Sequence, residues 1–330
     1  MDEKRGRRRW GCLWAVLAVA VALAVALGAS GLIGRRLSAP GTMGEDQSPA
    51  LKEVWAWGTG ETKVVVVPLK GLIVLDRQSG LLGSAAGTAD QALRAIRRAT
   101  NDDRVEAIIL EVDSGGGGIT ASDILYEALL GFRDAQAGRR IVAVFNDMAA
   151  SGAYYVALAA DHIVAHPTTI TGSIGVLIES FNIRELGQKI GLKDVTIKSG
   201  ANKDLLNPLG DLSDEQRRML QGIVDELHGR FLQLVVERRG LPEEQVREIA
   251  DGRIFTAGTA LDLRLVDQIG YWEDAVDKTA ELLKVQDIKV FRYEEHFSLA
   301  ALLKAAQDWS PASAMLSRLS QVRFLYLWRL

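Results

Sequence analysis

The side chain best placed to act as a nucleophile is Ser151, within residues 147–155 (DMAASGAYY). An apolar run at residues 141–145 predicts a strand before it, and the small residues 149–160 predict a helix beside it. The unpaired N–H groups of a first helical turn stabilise an oxyanion, and Gly152 would let a substrate come close. Serine is also a preferred N-cap residue, and on this segment alone that structural role is favoured.

Three further segments contain glycines or lysines that could take part in chemistry. They are residues 113–118 (DSGGGG), 171–175 (TGSIG) and 197–204 (IKSGANKD). The glycine run follows a predicted strand, where it lets backbone N–H groups face a ligand closely. It matches neither the dinucleotide-binding fingerprint nor the P-loop. Lysine can act as a base where burial lowers its pKa. Four lysines lie in this region, each by default a solvated surface residue: Lys189, Lys193, Lys198 and Lys203.

Histidine and cysteine are scarce, with four histidines and one cysteine in 330 residues. No H-E-x-x-H pair occurs, which disfavours a metal hydrolase, and Cys12 alone excludes an intramolecular disulfide. A helix over residues 149–160 would carry His162 and His166 about 17 Å or more from its first turn. The net charge of −3 does not point to nucleic acid. We therefore expect no metal, no cofactor and no nucleic-acid partner.

The elements that must position these residues alternate between strand and helix. Short apolar runs predict buried strands, and helical spacing of apolar residues predicts helices between them. The predicted strands are residues 63–69, 106–112 and 141–145, and the helices between them are residues 88–99 and 122–135. This alternation predicts parallel βαβ units and an α/β fold.

The second half of the chain is predicted to be mainly helical. Residues 181–190 and 243–250 predict short helices, and residues 213–239 predict a long one. The long helix begins with a capping box, Ser213 with Gln216, and ends at Gly240. Residues 296–330 form an amphipathic tail that ends in FLYLWRL, which suits packing on a neighbour or on a membrane surface.

The N-terminus predicts a membrane anchor. Residues 1–9 are basic, residues 10–34 carry no charge, and about 20 apolar residues suffice to cross a bilayer. The basic end should stay cytoplasmic, which puts the rest outside. A cleavable signal peptide, cut within residues 26–30, is the alternative. Residues 35–62 then form a tether, and residues 63–295 the folded domain.

The four motifs together resemble signal peptide peptidase A in its short, single-domain form. That family carries D-S-P-G-G-G, M-A-A-S-G-x-Y-Y, T-G-S-[IL]-G-V and I-K-S-G-x-x-K-D, matched here by DSGGGG, MAASGAYY, TGSIGV and IKSGANKD. Two further patterns appear at residues 251–255 and 265–270. The resemblance covers residues 63–295, with the motifs in the same order. It implies a crotonase- or Clp-protease-like fold, a repeated β-β-α superhelix, behind an N-terminal transmembrane helix.

The resemblance also implies the roles of individual residues. Ser151 would attack the peptide carbonyl, and Lys203 would take its proton and later protonate the leaving amine. Ser173 would orient the Lys203 amine. The oxyanion hole would be formed by the N–H groups of Gly152 and Gly117, with Gly116 as the neighbouring alternative.

Two positions set this chain apart from known patterns. Gly115 stands where the family usually has proline, which predicts a looser glycine turn. Related Clp-type proteases place a histidine about 25 residues after the serine, where this chain has Val176. The missing histidine favours lysine as the base.

The function implied is a membrane-anchored serine endopeptidase that degrades cleaved signal peptides and other apolar peptides at the outer membrane face. The family also implies a homo-oligomeric ring with composite active sites. Two alternatives stay open at this point. One is an acyl-CoA hydratase or isomerase that uses the glycine turn to stabilise an enolate, and the other is a non-catalytic membrane scaffold of the same fold.

Overall fold

The computed structural model describes residues 51–75, 78–80, 83–85, 87–294 and 324–327. The predicted anchor at residues 10–34, most of the tether and most of the tail lie outside this set. Within the described ranges, no helix combines the length and the apolar character that a membrane span requires.

A mostly parallel sheet forms the centre of the molecule. Its strands are β1 (Lys52–Trp57), β2 (Thr62–Lys70), β5 (Val105–Ser114), β7 (Arg140–Ala150), β8 (His162–Ala165), β9 (Ile170–Gly172), β11 (Ile254–Thr256), β12 (Gln268–Ile269) and β13 (Ile288–Glu294). The order is β1-β13-β2-β5-β7-β8-β12, and β9 pairs with both β7 and β11. All neighbours are parallel except β1 with β13 and β9 with β11. The mixed α/β architecture predicted from the strand–helix alternation is confirmed, whereas the repeated superhelix stays a prediction.

Eight helices lie within the described residues. They are α1 (Thr88–Thr100), α2 (Ile119–Ala135), α3 (Gly152–Ala157), α4 (Arg184–Lys189), α5 (Asp214–Arg239), α6 (Glu243–Ile249), α7 (Ala257–Asp262) and α8 (Trp272–Leu283). Helices α1, α2 and α3 contribute buried residues to the core on one face of the sheet, and α8 contributes to a smaller core on the other. The β-branched runs of β2 and β5 are buried, because a parallel sheet covered on both faces excludes water from both sides of its strands.

The predicted cap of the long helix is confirmed. The Ser213 side chain accepts a hydrogen bond from the Gln216 amide, the Gln216 side chain accepts one from the Ser213 amide, and Gly240 ends α5 in the left-handed conformation.

The predicted helix at residues 149–160 is shorter than expected. Strand β7 continues to Ala150, because Met148, Ala149 and Ala150 pair with β9, and α3 spans only Gly152–Ala157. Pairing with a remote strand therefore overrides the helix propensity of alanine here.

A small antiparallel sheet lies beside the main one. It joins β6 (Gly116–Gly118), β14 (Phe324–Leu327) and β10 (Leu177–Ile178), with β14 in the middle. A separate hairpin pairs β3 (Gln78–Gly80) with β4 (Gly83–Ala85). The end of the chain thus returns to the glycine run, although most of the intervening tail lies outside the described residues.

Residues 179–212, which we call the arm, contain α4 and little other regular structure. Gly187 is the one buried residue in the arm. Four of its apolar side chains are 70% exposed or more: Phe181, Ile190, Val195 and Ile197.

Candidate active site

Ser151 lies on a strained turn between β7 and α3. Its backbone has φ 54° and ψ −118°, a conformation that residues with a side chain rarely adopt. Such strain costs roughly 1–3 kcal/mol and is concentrated at functional sites. A serine on a sharp strand-to-helix turn is also the arrangement of the nucleophile elbow of other hydrolases.

The Ser151 side chain does not cap the helix that follows it. It makes no capping hydrogen bond to α3, and its Oγ is buried without a hydrogen-bond partner among the described residues. An N-cap role would require that bond. The geometry therefore removes the structural explanation for this serine and leaves a buried hydroxyl available for chemistry.

Two backbone bonds hold the turn in place. The Ser151 amide donates to the Gly172 carbonyl at 2.8 Å, and the Tyr155 amide donates to the Ser151 carbonyl at 2.9 Å. Ser173, next to Gly172, also has a positive φ of 50° and donates its amide to the Arg253 carbonyl at 2.7 Å. The structure thus brings Ser173 to the strand position beside Ser151.

The glycine turn is tightly held, contrary to the looseness expected from Gly115. Ser114, which is buried, donates its hydroxyl to the Gly71 carbonyl at 2.6 Å and accepts from the Gly116 amide at 3.0 Å. The Ile73 amide donates to Gly116, and the Ile73 carbonyl accepts from Gly118, both at 2.9 Å. These bonds fix the turn without the ring of a proline.

Three glycines let backbones meet closely beside Ser151. A Cβ on Gly116, whose φ is +100°, would lie 2.7 Å from the Gly152 nitrogen and 2.2 Å from the Tyr326 carbonyl oxygen. A Cβ on Gly152 would lie 3.2 Å from the Gly117 nitrogen and 3.1 Å from the same oxygen. The Gly152 and Gly117 nitrogens therefore lie in the neighbourhood of the same Tyr326 carbonyl oxygen, where donors to an oxyanion are needed.

That carbonyl belongs to β14, which lies between β6 and β10 as an extended peptide would. We call the space between these two strands the cleft. Tyr326 is the register partner of Gly117, Leu327 of Gly116, and on the other side Leu325 pairs with Leu177. An extended segment held between two strands by main-chain pairing is a recurring mode of peptide recognition.

The Tyr326 side chain fills an aromatic pocket. Its ring stacks on Tyr155, with centroids 5.2 Å apart, and lies 4.8 Å from Phe231. Its hydroxyl donates to the Leu227 carbonyl of α5 at 3.0 Å. Tyr326 is fully buried, and burial raises the pKa of its phenol, which stays neutral.

Lys203 is not brought to Ser151 within this chain. It lies in the arm, it is exposed, and the Ser151 hydroxyl has no partner among the described residues. Lys198 is occupied: its amine contacts Asp204 at 2.7 Å, and this hydrogen bond lowers the pKa of that carboxyl. Of the two lysines in the motif, Lys203 is the one without such a carboxylate partner in the described part of the chain.

His162 and His166 are engaged elsewhere. His162 lies 3.3 Å from Gln268, and His166 lies 2.8 Å from Thr168. Neither reaches the Ser151 hydroxyl, as expected from the sequence.

Several residues around the site were not identified from the sequence. In the sequence, Ser114 is indistinguishable from any other turn residue. The pocket residues Tyr155 and Phe231 are likewise indistinguishable from ordinary core residues. Tyr326 had a weak signal, since FLYL is apolar and suited to an edge strand, but its partner strands could not be inferred.

Much of this chain is similar to known peptidases. Residues 133–286 match Peptidase family S49. A signal peptide peptidase SppA of Enterococcus faecium is 33% identical over 79% of this chain and 76% of its own. Protease 4 of Salmonella typhi is 32% identical over 72% of this chain, and the chloroplastic serine protease SPPA of Arabidopsis thaliana is 30% identical over 66%.

The matches cover 37% and 32% of the lengths of the last two relatives. Among solved structures, a ClpP1 mutant from Listeria monocytogenes aligns with 64% of this chain and 93% of its own, at 14% identity and a TM-score of 0.42. With its strained serine and its similarity to the Enterococcus protein over three quarters of both chains, the chain belongs to Peptidase family S49, the signal peptide peptidase A family, and is a serine peptidase.

Proposed function

We propose that this protein is a membrane-anchored serine endopeptidase in which Ser151 is the nucleophile and Lys203 the general base. The observation that carries the proposal is the buried hydroxyl of Ser151, which has no hydrogen-bond partner among the described residues and lies beside the glycine turn, with the extended strand β14 paired to that turn. The fold holds Ser151 in a strained backbone conformation, and such strain is concentrated at functional sites.

In the proposed reaction the Ser151 Oγ attacks the substrate carbonyl while its proton passes to the Lys203 amine. The Gly152 and Gly117 amides donate to the oxyanion of the tetrahedral intermediate. Collapse breaks the peptide bond, and the protonated lysine gives its proton to the leaving amine. Water then attacks the acyl-enzyme by the same route and releases Ser151.

The proposed base comes from a second copy of the chain. Among the described residues, the buried Ser151 hydroxyl has no hydrogen-bond partner and the exposed Lys203 has no carboxylate partner. These are the two members of the proposed dyad, and one protomer does not join them. The exposed apolar side chains of the arm support an assembly that covers them, because a monomer rarely exposes such a patch. A neutral amine also needs a dry pocket, which an interface supplies. A homo-oligomeric ring meets all of these requirements.

The proposed substrate is an extended, apolar peptide that takes the place of β14. The cleft binds its occupant through main-chain pairing on both sides, and its pocket accepts a large apolar ring. Remnants of cleaved signal peptides have these properties, and an anchor at residues 10–34 would hold the domain at the outer membrane face where they are released.

The test measures hydrolysis of a fluorogenic apolar peptide, together with labelling by a serine-reactive phosphonate, on the full-length protein in detergent. We expect Ser151→Ala to abolish both signals. Ser213→Ala is the matched control, because Ser213 is a true helix cap: it should cost stability but spare labelling and turnover. Turnover that survives Ser151→Ala would refute the proposal.

A further inference from the structure

Tyr155 connects the nucleophile's turn to the pocket. It lies one helical turn after Ser151 and donates its amide to the Ser151 carbonyl. Its ring forms one wall of the pocket, stacked on Tyr326 and packed edge-on against Phe231 at 5.1 Å. A shift of this ring would change the pocket, whereas the backbone bond keeps the turn in place.

The Tyr155 hydroxyl is held by two charged residues from two other helices. It donates to Asp123 of α2 at 2.6 Å and accepts from Arg230 of α5 at 3.2 Å, and Arg230 also contacts Asp123 at 2.7 Å. Burial raises the pKa of the Tyr155 phenol, and the hydrogen bond that the phenol donates to Asp123 adds to this, so the hydroxyl keeps its proton. We call these three residues the clamp.

The clamp lies where α5 first meets the body of the protein. The first part of this helix, up to Arg230, contributes no buried residue, and Phe231 is the first that does. The Leu227 carbonyl, which accepts from the Tyr326 hydroxyl, lies one turn before that point. With little packing beneath residues 214–230, the position of this carbonyl depends on how Arg230 is held.

We propose that Asp123 and Arg230 are positioning residues that set the depth and width of the pocket through Tyr155 and α5. The inference rests on the proposed peptidase function and adds to it two residues that select the substrate without touching it. The pocket would take the side chain of the residue whose carbonyl lies beside Gly116 and Gly152, since Tyr326 is that residue in β14. A long aromatic side chain would depend on the clamp, and a methyl group would not reach it.

The experiment uses two fluorogenic peptides that differ only in tyrosine or alanine at that position, with the full-length protein. For Arg230→Met and Asp123→Asn we expect KM for the tyrosine peptide to rise about tenfold with kcat little changed, because binding of the side chain is weakened and the chemistry is not. The alanine peptide should change less than about twofold in both parameters. Arg230→Lys should restore part of the loss, since it returns the charge without the fork of donors.

Arg247→Met is the matched control, because Arg247 pairs with Glu243 on the exposed face of α6 and lies outside the clamp. It should leave both peptides unchanged. Equal effects on the two peptides, or a fall in kcat alone, would overturn the inference while Ser151-dependent turnover left the proposed function intact. Turnover that persists in Ser151→Ala would instead refute the function itself.

Discussion

The cleft and the arm differ in how much of their surface is buried within one chain. In the cleft Ser151 is 1% exposed, the glycine turn is fixed by hydrogen bonds, and β14 fills the space where a peptide would lie. In the arm Val195 is 84% exposed and Ile197 is 97% exposed, and Lys203 projects into solvent. In the proposed mechanism, the nucleophile's half of the site folds within the protomer, whereas the half that carries the lysine requires a surface from a second copy.

The largest effect is expected when either member of the proposed dyad is removed. Ser151→Ala and Lys203→Ala should each lower kcat/KM by about 10⁴-fold, because each removes one member of the dyad. If the dyad is composite, co-assembly of the two inactive variants should restore about a quarter of wild-type activity, the fraction of interfaces that pair both intact halves at random. Peptide turnover of co-expressed variants measures this.

The control for this mixing is a double variant, Ser151→Ala with Lys203→Ala, assembled with either single variant. Each of these two mixtures lacks either Ser151 or Lys203 in every copy, so both should stay inactive. Absence of recovery in the mixed single variants would contradict a composite site.

The next effect concerns the apolar side chains of the arm. Val195→Asp and Ile197→Asp should dissociate the assembly and lower activity about 100-fold, because a charge in a buried interface is costly. Sedimentation velocity measures the assembly, and circular dichroism should show an unchanged fold, since these side chains pack on nothing within the protomer.

Trp55→Asp is the matched control, since Trp55 is 59% exposed on β1 and lies outside the arm. It should keep both assembly and activity. Arm variants that stay assembled and active would show that the exposure of the arm has another cause.

A smaller effect should come from the occupant of the cleft. Tyr326→Ala should raise the rate with a short peptide about tenfold at low substrate concentration, because the tail loses the burial of an aromatic ring and competes less well. Leu327→Ala, in the same strand but only half-buried, should have a weaker effect. Steady-state kinetics across peptide concentrations measure this, and an unchanged KM would argue against competition.

The smallest effect is expected at Lys198, the other lysine of the IKSGANKD motif. Lys198→Met should change kcat/KM less than about twofold, since an exposed ion pair contributes little. Because the pKa of Asp204 is lowered, this pair is fully formed above the ordinary pKa of an aspartate and is lost as the pH falls through the lowered pKa. A loss as large as that of Lys203→Ala would exchange the roles of the two lysines.

Local patterns in the sequence predicted most of the alternating strands and helices well. Strands β2 and β5 and helices α1, α2, α5 and α6 lie close to their predicted bounds, because apolar periodicity and caps are encoded within a few residues. The predicted helix at residues 149–160 was too long, since Ala149 and Ala150 pair with a strand that is adjacent in space and not in sequence.

For the candidate site, the order of four short motifs was sufficient to indicate a serine peptidase and to nominate Ser151, Ser173 and the glycines. The Ser151–Lys203 dyad stays a prediction. Its two members depend on different surroundings, one buried in the cleft and one exposed on the arm, and no local pattern encodes that difference.

What the sequence by itself determined is therefore the family, the parallel α/β pattern and the residues capable of chemistry, all carried by short stretches of chain. Only the tertiary structure decided that Ser151 caps nothing, that Ser114 stiffens a turn lacking proline, and that Tyr326 returns to Gly117 across some two hundred residues. The physical reason is that strain, burial and strand pairing arise from contacts between remote segments, and such contacts exist only once the chain has folded.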